Sequence, residues 1–114
     1  HTPVDLAVHV PEEDLVVTGD LVSVGYHVNL EHASPAGIFT GLDVLAARNP
    51  RSVVPGHGPV SPASALGAQR AYHEAIRESV HGAAGRPEAE VVASLAALFP
   101  GYLLEVVLPD AVRF

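Results

Sequence analysis

Three side chains able to hold a metal ion stand beside strand-forming runs in this 114-residue chain. His57 lies in Val53-Val54-Pro55-Gly56-His57-Gly58-Pro59, between two glycines and behind a β-branched run. Val53 and Val54 suit a buried strand, and Pro55, which has no amide donor, is expected to end it. Gly56 and Gly58 let the backbone turn sharply and come close to whatever the imidazole holds. Asp20 closes the run Leu15-Val16-Val17-Thr18-Gly19, and His1 precedes the first apolar alternation. Two imidazoles and a carboxylate gathered at the edge of a sheet suit zinc, and also iron or manganese. Each residue has a plainer reading: an exposed turn histidine at position 57, an Asx-turn cap at 20, a frayed terminus at 1. Other chemistries lack their signatures. There is no Gly-x-Ser-x-Gly elbow, no glycine-rich phosphate loop before a helix and no cysteine.

The elements that must position these residues follow from the apolar pattern. Val4, Leu6, Val8 and Val10 alternate with Asp5, Ala7 and His9, and Leu15 to Thr18 form an apolar return. With Pro11-Glu12-Glu13-Asp14 as the connection, residues 3–18 read as an antiparallel hairpin whose second strand is central and ends at Gly19-Asp20. An irregular segment, 21–34, comes next; loops that long in small domains are more often functional than idle. Ser34-Pro35 opens a helix carrying Ile38, Leu42 and Leu45, which Asn49-Pro50 ends. The run 52–54 is then a strand. Ser61-Pro62 repeats the capping signal for a helix over 63–81, with Leu66, Tyr72, Ile76 and Val80 as its core stripe. Pro87-Glu88 starts another helix, stopped by Phe99-Pro100-Gly101. Residues 102–108 read as strand or short helix, ended by Pro109. Strand, helix and strand in this order predict an α/β unit.

Hydrophobic residues make up 48% of the chain, which predicts one globular domain. The net charge of -7 disfavours nucleic acid and anionic membrane surfaces as partners. No apolar stretch approaches the roughly 20 residues of a membrane helix. The chain begins at His1 rather than methionine, so a removed segment or a fragment is expected.

Three motifs in order resemble the second half of a metallo-β-lactamase-fold hydrolase: His1-Thr2-Pro3-Val4-Asp5, then Val17-Thr18-Gly19-Asp20-Leu21, then Val54-Pro55-Gly56-His57-Gly58. The resemblance covers roughly residues 1–80. It implies an α/β fold that is half of an αββα sandwich, a mixed sheet with outer helices, spanning 1–114. Residues 1–81 would form the core and 87–114 a C-terminal helical extension. It implies two zinc ions in the intact protein, with iron or manganese as alternatives. His1 would complete the site of the first metal, Asp20 would bridge the two, and His57 would bind the second. Asp5 would be an outer hydrogen-bond acceptor. A metal-bound hydroxide would then attack a small ester, thioester, lactone or amide.

The family's His-x-His-x-Asp-His run is absent from this chain. Half of the coordination sphere is therefore expected from a complementary N-terminal half that carries it, and the isolated chain is expected to be inactive. A half-sandwich would also expose the inner face of its sheet, which that half, or a second copy of the chain, would cover. Tyr26, His27, Asn29 and His32 either line a substrate pocket or stand as exposed loop residues. His9, His73 and His81 read as surface residues. Two other functions stay open: a non-catalytic half-domain acting as an association module, and an unrelated α/β binding domain in which the histidines are coincidental.

Overall fold

The computed structural model describes residues 6–31 and 34–112. His1, Asp5 and His32 lie outside the described residues. β1 (Val8–Val10) and β2 (Leu15–Ser23) form an antiparallel hairpin, with Val8 opposite Val17 and Val10 opposite Leu15. One 3-10 turn, Pro11–Glu13, connects them. β2 runs parallel to β3 (Ser52–His57), and β3 pairs antiparallel with β4 (Ser61–Pro62). The result is a four-stranded mixed sheet in the order β1-β2-β3-β4. Helix α1 (Pro35–Ala47) makes the crossover between the two parallel strands. Its start follows the capping signal: the Gly37 N–H donates to Ser34 Oγ at 3.3 Å, with proline in the first turn. Helices α2 (Ser64–His81) and α3 (Glu88–Leu98) follow, then a 3-10 turn (Glu105–Val107) and the short α4 (Leu108–Val112). The architecture is α/β and is compatible with one half of an αββα sandwich.

Side-chain alternation gives the sheet two different faces. Val16 and Val53 are in register and fully buried against Ile38, Leu42 and Leu45 of α1 and Leu66 and Ile76 of α2. The next row puts Val8, Val17 and Val54 side by side, and there Val8 is 57% and Val17 37% exposed.

Several local expectations are corrected by the register. β2 does not stop at Asp20; it continues to Ser23 through a pairing irregularity at Gly19, so Asp20 lies within the strand. Pro55 does not end β3, which runs on to His57. Proline is tolerated there because Pro55 pairs with Gly19, at the irregularity where the ladder is already interrupted. Ser61-Pro62 does not cap α2. It forms β4, and Ser61 Oγ donates to the Pro59 carbonyl at 2.9 Å. Pro109 sits in the first turn of α4, where a missing amide costs nothing.

Candidate functional site

Asp20 and His57 come together where β2 and β3 run side by side. The Val24 N–H donates to the His57 carbonyl at 2.9 Å, and Ser23 pairs with His57. Thr18 is fully buried, and its hydroxyl lies 3.1 Å from the Gly19 carbonyl oxygen and 3.3 Å from that of Val54. Gly56 permits the approach: a Cβ there would overlap Asp20 Oδ1 and stand 2.7 Å from the Gly19 carbonyl carbon and oxygen. Gly58, at φ +97, would place a Cβ onto the Val24 carbonyl oxygen. The sequence motif around His57 is therefore a close-packed seam between two parallel strands.

His57 Nδ1 lies 3.3 Å from Asp20 Oδ1, with the two side chains 46% and 40% exposed. That is longer than the usual N–H···O range of about 2.7–3.2 Å. Two donors that share a tetrahedral ion at about 2.0–2.1 Å stand about 3.3 Å apart. Donor chemistry and spacing therefore fit one ion held by both residues. Among the described residues no third histidine, cysteine or carboxylate joins them as a metal-binding group.

The pair lines a cleft of about 280 Å³ together with Ser23, His27, Asn29 and Leu104. The Tyr26 ring flanks His57 at 5.4 Å between centroids. Asn29 is exposed, and its Oδ1 accepts the Glu31 N–H at 2.9 Å in an Asx turn. His27 is not an exposed loop histidine; it is 2% exposed. Its Nδ1 lies 3.0 Å from the Tyr72 hydroxyl, which also accepts the Val28 N–H at 3.2 Å. Among the described residues His27 Nδ1 is the one acceptor within reach of the phenolic hydrogen, and pairing the two leaves the imidazole proton on Nε2. Burial lowers the His27 pKa, opposed by the negative charge of Glu105. Burial also pushes Tyr72 up to about 12, so its phenol stays a donor.

Behind the cleft runs a second polar chain. The Ser23 N–H donates to Gln69 Oε1 at 3.0 Å, which turns the Gln69 amide nitrogen toward His73 Nε2, also at 3.0 Å. His73 is thus a correction to its surface assignment: it is 6% exposed, and burial pushes its pKa down to about 4. The two histidines are told apart from surface ones by partners on α2, at Tyr72 and Gln69. His73 lies on the spacing of Leu66, Ile76 and Val80, which could have placed it inside, whereas nothing near His27 signals its contact with Tyr72. Leu104 and Val107, which also line the cleft, come from the C-terminal segment and have no signal in the sequence. A separate apolar cavity of about 250 Å³, bounded by Ile38, Phe39, Ile76 and Val80 among others, includes neither Asp20 nor His57.

No protein-family model matches the sequence, and no curated protein matches it.

Proposed function

We propose that the chain is the C-terminal portion of a metal-dependent hydrolase of the metallo-β-lactamase superfamily, acting on a small ester, thioester, lactone or amide. The observation that carries this reading is the pairing of Asp20 Oδ1 with His57 Nδ1 at 3.3 Å on the wall of a cleft. A zinc ion bound there would polarise an acyl oxygen and lower the pKa of a neighbouring water; iron or manganese would serve similarly. Asp20 and His57 would hold the ion, and His1, outside the described residues, would add a ligand to a companion ion. The close Gly56 seam fixes the distance between the ligands, and Tyr26 restricts the side from which His57 is approached. The cleft, at about 280 Å³, suits a small acyl compound rather than a polymer.

A complementary N-terminal half carrying His-x-His-x-Asp-His would supply the remaining ligands. Elemental analysis of the protein isolated at native length from its own cells, with its mass measured, tests this. The expected result is two metal ions per chain, residues upstream of His1, and loss of about one ion in His57→Ala. Metal content that His57→Ala leaves unchanged would return the histidines to coincidence.

The exposed row of Val8 and Val17 favours a second reading, in which the same half-domain serves association rather than catalysis. Both readings expect the 114-residue chain alone to bind an apolar dye or to self-associate in sedimentation. A dye-silent monomer would sink the half-sandwich assignment that they share.

A further inference from the structure

We infer that the Nε2–H of His27 is the hydrogen-bond donor for an acyl oxygen of the compound held in the Asp20–His57 cleft. The inference rests on the hydrolase reading for the identity of that compound, and on the geometry of His27 for the donor itself. His27 lines the cleft with Asp20 and His57 while being 2% exposed. Its Nε2 is the only buried side-chain nitrogen or oxygen among the described residues that has no hydrogen-bond partner within the protein. An unpaired buried donor costs about 1–3 kcal/mol, so it calls for an explanation in the site's use.

The hydrogen-bond chain decides what Nε2 can do. Val28 N–H donates to the Tyr72 oxygen at 3.2 Å, and that oxygen lies 3.0 Å from His27 Nδ1, a contact whose direction follows the imidazole tautomer. The opposite tautomer would leave two groups unsatisfied, the phenolic hydrogen and the Nε2 lone pair, where the assigned one leaves only the Nε2–H. Nε2 therefore presents a hydrogen and not a lone pair. Its complement is an sp2 oxygen, the carbonyl of a substrate or the carboxylate of a product. In acyl hydrolysis the water oxygen bonds to the acyl carbon, and the carbonyl oxygen gains negative charge. The bond to the leaving group then breaks, and that group departs with a proton from the water. His27 keeps its own proton throughout and stabilises the charged oxygen, as oxyanion donors do.

Side-chain ¹⁵N NMR of histidine-labelled intact protein, titrated with acetate as the oxygen probe, tests the assignment. The expected spectrum shows His27 as the Nε2–H tautomer, with that proton moving downfield as acetate binds. His27→Phe should weaken acetate by about ten-fold or more, and His27→Gln, whose amide N–H can replace Nε2–H, should recover most of it. Metal content should be the same in both variants. An Nδ1–H tautomer in the unsubstituted protein, no acetate response at His27, or equal acetate affinity in His27→Phe would overturn the inference. The tautomer measurement needs no variant to fold. The hydrolase reading stands or falls separately on metal content, so the two failures are distinguishable.

Discussion

Replacing Gly56 with alanine is expected to lower the free energy of unfolding by about 2–3 kcal/mol, near the upper end of what forced overpacking costs. The added methyl would meet Asp20 Oδ1 and stand 2.7 Å from the carbonyl carbon and oxygen of Gly19. Side chains can rotate away from such a contact, but Gly19 is backbone in β2, which is hydrogen-bonded between β1 and β3. Relief has to come from separating β2 and β3 just where His57 is paired with Ser23. Gly67 supplies the internal control. It lies within α2, and a Cβ there meets nothing within 4 Å. Gly67→Ala should therefore stabilise, by about 0.5–1 kcal/mol, through helix propensity alone. Urea unfolding of both variants measures the contrast. If Gly56→Ala costs under about 0.5 kcal/mol, the seam is not close-packed and the fixed spacing of Asp20 and His57 loses its cause. Under the hydrolase reading, the same variant also loses metal at the His57 position.

The parts of the fold visible in the sequence are those set by neighbours along the chain. Apolar alternation through Val8 and Val10, and the return through Val16, mark the hairpin. Ser34-Pro35 marks the start of α1 because cap and first turn are adjacent residues. Where an outcome depends on a partner far along the chain, local chemistry misleads. Pro55 looks like a strand terminus until Gly19 is found opposite it, at a position where the ladder is already broken. Ser61 looks like a helix cap until its hydroxyl is found on Pro59 and its backbone on Val53. The candidate site divides in the same way. Asp20 and His57 stand out by residue type and flanking glycines, and the structure does bring them together. His27 meets Tyr72 45 positions away and Ser23 meets Gln69 46 positions away, whereas His73 meets Gln69 four residues back on the same helix. His27 carries no local sign of burial, but His73 falls seven residues after Leu66 and three before Ile76, so helical periodicity already points it inward.

Burial gives the chain an expected acid sensitivity centred on His73. Its pKa is about 4 in the fold against 6.5 for a free histidine, chiefly because burial penalises the charged imidazolium. Between those values the unfolded chain binds a proton that the folded chain does not. Stability is therefore complete above pH 6.5, falls as the pH is lowered, and levels off near pH 4. The total is about 3 kcal/mol, and His27, also lowered by burial, acts in the same direction. The structural event at His73 is specific. Gln69 donates to Nε2 because its oxygen is held by the Ser23 N–H. A protonated Nε2 would face that donor, and an amide flip to accept the new proton would turn the Gln69 nitrogen onto the Ser23 N–H. Either way one donor in the chain loses its acceptor, at the end of β2 that pairs with His57. Urea unfolding at about pH 7.5 and about pH 4.5 should show a drop that is about 2–3 kcal/mol smaller in His73→Leu than in the unsubstituted chain. The variant starts lower at neutral pH, with the Gln69 amide nitrogen left without its acceptor, and the two should converge in acid. Amide exchange supplies the site-specific reading: the Ser23 N–H should lose protection over the same pH interval, ahead of Val16 and Val53 in the sheet core. Equal acid slopes in the two proteins would show that carboxylates, and not His73, govern the loss.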